Sequence, residues 1–225
     1  SDYHTAGAGV AVAIAGVASR MMKLSLEQTR HAMGIAEYHG PRSQMMRCID
    51  HPTMLKDGSG WGALCGVSAA RMAKAGFTGA PALTLQTKHW HDLGENWLIT
   101  KQYFKPYPVC RWAQAPIAAV LDLRETYDFS STDVASVHIT SFYEAVRLGQ
   151  KKVTNTEEAQ YSTSFPCAIA LVHGDILPEH IADDALKDPE IQRLSSVLTI
   201  SEDYHANLVF PGSRLARADI TLKNG

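Results

Sequence analysis

The stretch "MLKDGSGWGALCGVSAARMAKAGFTG", residues 54–79, decides how the first part of the chain folds. It opens with Lys56 in a glycine-rich loop and continues as a predicted helix over residues 61–75. Small side chains recur along this helix at helical spacing, so neighbouring backbones can approach it closely. Gly76 stands where a glycine ends many helices. The stretch therefore predicts a tightly packed helix that follows a glycine-rich loop.

Two further helices are predicted before this stretch. Residues 6–22 contain the apolar run "AGAGVAVAIAGV" and are expected to form a buried helix. The segment "SLEQ" at residues 25–28 is a capping-box signature, and it opens a second helix that Gly40-Pro41 stops. Residues 41–60 are expected to form an irregular loop. This part of the chain is therefore predicted to be all helical.

The character of the sequence changes after Gly79-Ala80-Pro81. Ala135, Val137 and Ile139 alternate with polar residues, which predicts a half-buried strand. The other expected elements are a helix with Pro116 in its first turn that ends near residue 125, a helical segment over residues 156–173 interrupted by Pro166, a short helix opened by Asp188-Pro189, and strands over residues 197–200 and 216–223.

The order of these elements predicts a mainly α chain of two domains. Residues 1–100 form the all-helical domain. Residues 101–225 form a smaller α+β domain, whose strands are expected to make an antiparallel sheet.

Composition and charge exclude several classes of function. The formal net charge of -2 and the scattered basic residues offer no attraction to nucleic acid or to an anionic membrane. The most apolar run, residues 6–17, is too short to cross a bilayer, and no basic segment of a signal peptide precedes it. We therefore expect a cytoplasmic protein without nucleic-acid or membrane partners.

The four cysteines, Cys48, Cys65, Cys110 and Cys167, lie far apart and form no C-x-x-C pair. That spacing matches neither a zinc or iron–sulfur site nor a disulfide framework. The sequence therefore predicts reduced thiols and no metal site.

Two candidate anion sites lie near predicted helix starts. His4 precedes the glycine-flanked start of the first helix, where free N–H groups favour an anion and a neutral imidazole can act as a general base. Lys56 and Gly58 resemble an anion cradle, although the G-x-x-x-x-G-K-[ST] order of a phosphate-binding loop is absent. Taken alone, each is better explained as a capping or solvated side chain.

The segment "FKPYPVCRW" at residues 104–112 holds the other candidates. Lys105 and Arg111 bracket two prolines and Tyr107, and the prolines restrict the loop so that both cations can be held at little entropic cost. Cys110 is a candidate nucleophile, but a buried and inert thiol is the favoured interpretation.

Taken in order, these motifs resemble the MmgE/PrpD family over nearly the whole chain. The most specific of them are "AARMAKAGFTG", "KPYPVC" and "EEAQYS". Known members include 2-methylcitrate dehydratase, cis-aconitate decarboxylase and iminodisuccinate epimerase. The resemblance implies a helical domain joined to a smaller α+β domain, a homodimer, and no metal or organic cofactor.

The resemblance also implies that family members are much longer than this chain. A helical stretch carrying an Asp and a His of the active site would precede Ser1, and further elements would follow Gly225. The closing "ARADITLKNG" ends in the hairpin signal Asn224-Gly225 without a returning strand, which agrees with a cut at that point. We therefore expect an internal fragment that is inactive alone.

Matched residue by residue, the resemblance implies catalytic roles for His4 and Lys105. His4 matches the family's FH histidine, and Lys105 matches the lysine of K-x-[YF]-P. Lys56 is shifted by one position from the lysine that many members have before this helix.

Lys56, Gly58, Tyr107 and Arg111 are the residues that we expect to bind substrate. In two places the chain departs from the family. Gln114 stands where members often have histidine, and Phe165 stands where the decarboxylase has tyrosine. These departures argue against cis-aconitate decarboxylase.

The resemblance implies a lyase of propionate metabolism, similar to 2-methylcitrate dehydratase, that abstracts a proton next to a carboxylate of a small di- or tricarboxylate. Positioned cations lower the barrier to such a step because they stabilise charge where it develops. An isomerase similar to iminodisuccinate epimerase, which uses the same carbanion chemistry, is the first alternative. A non-catalytic subunit completed by a partner chain is the second.

Overall fold

The computed structural model describes residues 6–149 and 152–225, and the chain divides into two compact units, Ser1–Tyr103 and Phe104–Gly225. The described residues of the first unit form four α-helices and then a segment of short 3-10 turns. The helices are α1 (Gly7–Met21), α2 (Leu26–His39), α3 (Met46–Asp50) and α4 (Ser59–Lys74), and the turns are Leu83–Gln86, Lys88–Trp90 and Leu98–Lys101.

Glycine allows α1 and α4 to pack backbone against backbone. A Cβ atom added at Gly62 would lie 2.3 Å from the carbonyl oxygen of Gly7, and one added at Gly66 would lie 2.5 Å from that of Ala11. Helix α2 packs against both, and small side chains dominate the resulting core. The predicted close approach to the small-residue helix is therefore confirmed. The buried core residues are Ala11, Ala15, Ala18, Ala32, Ile35, Ala36, Ala69, Ala70 and Ala73.

The ends of these helices follow local signals in the sequence. The Ser25 side chain accepts a hydrogen bond from the Gln28 backbone at 3.1 Å, and the Gln28 side chain accepts one from the Ser25 backbone at 3.0 Å. This pair confirms the predicted capping box. Gly76 has a φ of 93°, as expected for a glycine just after a helix.

The expected irregular loop over residues 41–60 was wrong in part, because it contains α3 and the first residues of α4. Helix α3 covers only Met46–Asp50. A helix of little more than one turn is too short to show the 3.6-residue period on which such a prediction depends.

One carboxylate ties the segment after α4 to α2. The oxygens of Glu37 accept hydrogen bonds from the backbone N–H groups of Leu83 and Thr84, both at 2.8 Å, and from the Thr84 hydroxyl. Burial acts to raise the pKa of Glu37, but these hydrogen bonds and the nearby Arg42 hold it below its ordinary value. The ionised Glu37 thus satisfies backbone groups that no helix or strand would satisfy.

The second unit combines helices with a three-stranded sheet. Its helices in the described residues are α5 (Gln114–Thr126), α6 (Tyr143–Arg147), α7 (Thr156–Gln160), α8 (Ser164–His173), α9 (Pro189–Val197) and α10 (Tyr204–Val209), and its strands are β1 (Val134–Ser141), β2 (Leu198–Glu202) and β3 (Ala216–Leu222). The strand order is β2-β1-β3. The mainly α class is therefore confirmed.

The sheet is mixed, so the prediction of an antiparallel sheet was wrong. Strand β1 is antiparallel to β3, with Ile139 opposite Ala218, but it is parallel to β2, with Ile139 opposite Ile200. The chain between β1 and β2 includes α6 to α9, and a long crossover of this kind can bring the second strand back in the same direction. Alternation of apolar and polar residues predicts a strand but not its direction.

A register shift changes which residues of β1 face the core. Val134, Val137 and Ile139 are buried, whereas Ala135, which was expected on the inner face, is exposed. The pairing with β3 shifts between Val134 and Ser136, as in a β-bulge. A bulge places an extra residue in one strand and so breaks simple alternation.

Helices α8 and α9 show how proline is used in this unit. The helical segment is interrupted before Pro166 and not at Pro166 as predicted, because α7 ends at Gln160 and α8 begins at Ser164. Pro166 is in the first turn of α8, where its missing N–H costs nothing. At α9, Asp188 accepts hydrogen bonds from the backbone N–H groups of the next turn, which confirms the predicted start.

None of the helices within residues 6–149 and 152–225 combines the length and the hydropathy that a bilayer-spanning helix needs.

We predict that Gly66→Ala destabilises the chain by about 1–3 kcal/mol or more. The new methyl group would also lie 2.8 Å from the backbone nitrogen of Ala15, and backbone atoms in a packed helix cannot move aside cheaply. Gly60→Ala in the same helix is the matched control, because a Cβ there meets nothing within 4 Å. Urea unfolding measures both, and equal stability of the two variants would contradict the packing argument.

A pair of stacked histidines leads us to expect that the second unit is sensitive to acid. The rings of His173 and His180 stack with their centroids 4.1 Å apart. The pKa of His173 is lowered from its ordinary value of 6.5 by burial, by His180 and by Arg124, while Asp188 acts in the opposite direction. Below 6.5 the unfolded chain therefore binds protons that the folded chain does not.

We predict that the free energy of unfolding decreases as the pH falls from 6.5 through the lowered pKa of His173. His173→Phe keeps a ring against His180 but cannot titrate, so its stability should fall less steeply with acid. His205→Phe, at an exposed position of α10, is the control and should keep the slope of the wild type. Unfolding by urea at a series of pH values tests this, and equal slopes in all three proteins would refute it.

Candidate active-site loop

A buried amide organises the loop that carries two of the predicted cations. Gln114 is the first residue of α5 and only 5% of its surface is exposed. Its Oε1 accepts a hydrogen bond from the Tyr107 backbone at 3.2 Å. Its Nε2 donates to the carbonyl oxygens of Tyr107 at 3.1 Å and Val109 at 3.2 Å, and more weakly to that of Cys110 at 3.4 Å. The loop therefore closes around one side chain.

The prolines of "KPYPVC" explain why the loop needs such a partner. Pro106 and Pro108 have no N–H, so the loop cannot form the ladder of a helix or strand, and its carbonyl groups need other donors. The backbone N–H of Cys110 donates to the carbonyl oxygen of Gln160 at 2.8 Å. This bond joins the motif "KPYPVC" to the motif "EEAQYS", which are far apart in sequence.

Two positive charges border one thiol in this loop. The Lys105 ammonium donates to the carbonyl oxygen of Val109 at 3.1 Å, and Arg111 begins the 3-10 turn that leads into α5. Burial raises the pKa of the Cys110 thiol above its ordinary value, while the Trp112 and Arg111 backbone amides and the charges of Lys105 and Arg111 act to lower it. The charges of both cations thus favour the thiolate, and burial outweighs them.

This arrangement suits the binding of a carboxylate rather than nucleophilic catalysis. A lysine ammonium and an arginine guanidinium both form strong, charge-assisted hydrogen bonds with carboxylate oxygens. Burial favours the neutral form of the Cys110 thiol, and the thiolate is the reactive species. We define Lys105, Cys110, Arg111 and Gln114 as the candidate site.

Tyr107 contributes its backbone to the loop, but its side chain has a different environment. The phenol is half-buried, and its pKa is raised by burial and by the charges of Asp175 and Asp122. All three residues line a cavity of about 810 Å³ that also contains further carboxylates. Negative charge does not favour a polycarboxylate, so the electrostatics disfavour the Tyr107 hydroxyl as a substrate ligand. Its assignment stays a prediction.

Two of the other predicted site residues lie in the first unit. Lys56 has a φ of 47° and Gly58 a φ of 75°, and Gly58 leads directly into α4. The Cys48 thiol donates to the carbonyl oxygen of Lys56 at 2.8 Å, and the Ala6 backbone donates to Asp57 at 3.4 Å. The loop is therefore held by contacts with other segments of the first unit, and its role in binding stays a prediction. His4 lies outside the described residues.

Gln114 is the residue that reasoning from sequence missed. It was noted only because it replaces an expected histidine. The sequence does contain a signal for this role: the Gln114 side chain has both a donor and an acceptor, and it directly follows a segment whose prolines lack N–H groups.

In the part of the chain that the structure describes, no group of three or more His, Cys, Asp or Glu side chains is arranged to hold a metal ion.

Comparison with known protein families matches both units. The model described as the MmgE/PrpD N-terminal domain matches residues 1–96, and the model described as the MmgE/PrpD C-terminal domain matches residues 107–225. The candidate site therefore falls at the start of the second matched region and just before it.

Two curated proteins are similar to the chain. It is 28% identical over 247 residues to "2-methylcitrate dehydratase, mitochondrial" of Yarrowia lipolytica, an alignment that covers 96% of this chain and 46% of the relative. It is 27% identical over 223 residues to "Probable 2-methylcitrate dehydratase" of Saccharomyces cerevisiae, covering 87% of this chain and 42% of the relative. The chain thus spans about half the length of the curated relatives it matches.

We predict that Cys110 reacts with thiol reagents more slowly than a free cysteine at neutral pH, because burial raises the pKa of its thiol. Its rate should rise as the pH is increased. Labelling with iodoacetamide, read at the peptide that contains Cys110, measures this, and Cys110→Ser identifies the peptide. A reaction at neutral pH faster than that of free cysteine would show that Lys105 and Arg111 outweigh burial.

Proposed function

The chain belongs to the MmgE/PrpD family, and on that premise we propose that it forms part of a lyase that dehydrates a small polycarboxylate, as a 2-methylcitrate dehydratase does. The observation that carries the proposal is the loop in which Gln114 and Lys105 share the Val109 carbonyl oxygen and which continues into the turn that begins with Arg111. A substrate with two or three carboxylates needs such cations simply to bind.

Lys105 and Arg111 are proposed to hold the carboxylate next to the carbon that loses its proton. Removal of that proton places further negative charge on a group that is already an anion. Fixed positive charges stabilise this developing charge more than they stabilise the bound substrate, which lowers the barrier. Arg111 supplies a planar fork of donors, and Lys105 supplies a compact charge on a loop that Gln114 holds.

The remaining groups of the reaction are assigned by the family pattern. A dehydration needs a base for the proton and an acid for the departing hydroxide. We propose His4 as one of them, and Lys56 and Gly58 as ligands of a substrate carboxylate. Protein side chains alone supply this chemistry, the enzyme is proposed to be a homodimer, and its proposed location is the cytoplasm.

The assay that tests the proposal uses the full-length protein and 2-methylcitrate. Formation of the unsaturated product is followed by ultraviolet absorbance, and exchange of the α-hydrogen with deuterium is followed by NMR. Product formation supports the dehydratase. Exchange or inversion at the α-carbon without loss of water would instead support the isomerase, because both reactions begin with the same proton abstraction. Neither product nor exchange with any di- or tricarboxylate would refute both.

We predict that Lys105→Met lowers kcat/KM of the full-length enzyme by about 100-fold or more, since removal of one group that stabilises developing charge has this effect in other enzymes. Lys101→Met, at an exposed lysine earlier in the sequence, is the matched control and should keep the activity of the wild type. Turnover that is unchanged in Lys105→Met would remove Lys105 from the site.

A further inference from the structure

The loop around Gln114 presents a matched set of hydrogen-bonding groups to a single amide. One backbone N–H, that of Tyr107, faces Oε1, and the carbonyl oxygens of Tyr107 and Val109 face Nε2, with that of Cys110 slightly farther away. A primary amide carries both donors and an acceptor on one short planar group. Gln114 therefore meets both kinds of backbone group in the loop with a single side chain.

The carbonyl oxygen of Val109 connects this amide to Lys105. It accepts one hydrogen bond from Gln114 Nε2 at 3.2 Å and another from Lys105 Nζ at 3.1 Å. A carbonyl oxygen has two lone pairs, so it can accept both. The place of the Lys105 ammonium therefore depends on where Gln114 holds Val109.

We propose that Gln114 is a positioning residue for the candidate site. Its amide fixes the loop so that the Lys105 ammonium and the 3-10 turn that begins with Arg111 keep one spacing, which sets where a substrate carboxylate binds. This inference rests on the proposed function for its catalytic consequence. The bond to Val109 uses one of the three N–H donors of a lysine ammonium, so others are available to a carboxylate.

Gln114 acts through other residues and does not need to touch the substrate. A loop that shifts by about 1 Å can lower a rate 100-fold, because the reacting groups then leave their productive geometry. Loss of the amide should therefore lower the kcat of the folded protein, in addition to any loss of stability. A purely structural role would instead lower stability and leave the kcat of the folded fraction unchanged.

Three variants separate these roles. Gln114→Met keeps the volume of the side chain and removes every hydrogen bond. Gln114→Glu keeps the acceptor for Tyr107 but turns a carboxylate towards the loop carbonyls. Gln192→Met is the matched control, because Gln192 lies on α9 of the same unit and donates a similar hydrogen bond to the Leu186 carbonyl at 2.7 Å.

Three measurements are made on each variant of the full-length protein. Amide hydrogen exchange by NMR or mass spectrometry follows the N–H groups of Tyr107, Val109 and Cys110. Steady-state kinetics with 2-methylcitrate gives kcat and KM separately, and thermal unfolding gives Tm. In Gln114→Met we expect faster exchange at Tyr107 and a fall in kcat of about 10- to 100-fold. The Tm should fall further than in Gln192→Met, because Gln114 makes more hydrogen bonds than Gln192, but only Gln114→Met should lose kcat.

Acid provides a rescue within Gln114→Glu. A protonated carboxyl group has one donor and one acceptor, as the amide has on the side facing the loop, so protection at Tyr107 relative to the wild type at the same pH should recover as the pH falls. This measurement also serves if Gln114→Met fails to fold. No recovery on protonation would overturn the inference.

The other outcomes are equally decisive. Exchange and kcat in Gln114→Met that match those of Gln192→Met would overturn the inference and leave the proposed function standing. A wild type that turns over no carboxylate would refute the proposed function before any variant is made. In that case, exchange at Tyr107 still decides the inference: faster exchange in Gln114→Met supports the ordering role, and unchanged exchange removes it.

Discussion

Backbone groups that lie outside helices and strands need hydrogen-bond partners, and this constraint shapes both units. In the second unit, the amide of Gln114 supplies hydrogen-bond partners to a loop in which two prolines prevent regular structure. In the first unit, the carboxylate of Glu37 accepts hydrogen bonds from the backbone of Leu83 and Thr84. In each case one side chain on a rigid helix fixes an irregular segment, and a segment fixed in this way can carry functional groups at small entropic cost.

The first unit depends in addition on the smallest side chains. Helices α1 and α4 are in contact along their backbones, because no side chain separates them at Gly7, Gly62 and Gly66. Alanine fills most of the core that α2 completes. Such packing gains much from dispersion and from the burial of backbone surface, but it tolerates almost no added volume. The glycine-rich loop that holds Lys56 is joined directly to this rigid helix pair, so its course is set by the packing behind it.

Residues of the second unit's loop have surroundings of opposite charge. The charges of Lys105 and Arg111 act to lower the pKa of the Cys110 thiol. Tyr107 instead lines a cavity together with Asp122 and Asp175. The segment that contributes two cations to a proposed carboxylate site therefore also borders an acidic cavity. Because burial keeps the thiol neutral, Cys110 adds no negative charge that would compete with an external anion for these cations.

The sequence by itself determined the elements whose signals are local. Ser25 and Gln28 cap α2, Asp188 with Pro189 opens α9, and the period of small residues marks α4, because each signal acts within a turn or two of helix. It also indicated that Lys105 and Arg111 flank one restricted loop. Only the tertiary structure decided features that depend on distant partners. The direction of β2, the bulge that turns Ala135 outward and the role of Gln114 all follow from groups brought together by folding, and no local pattern records them.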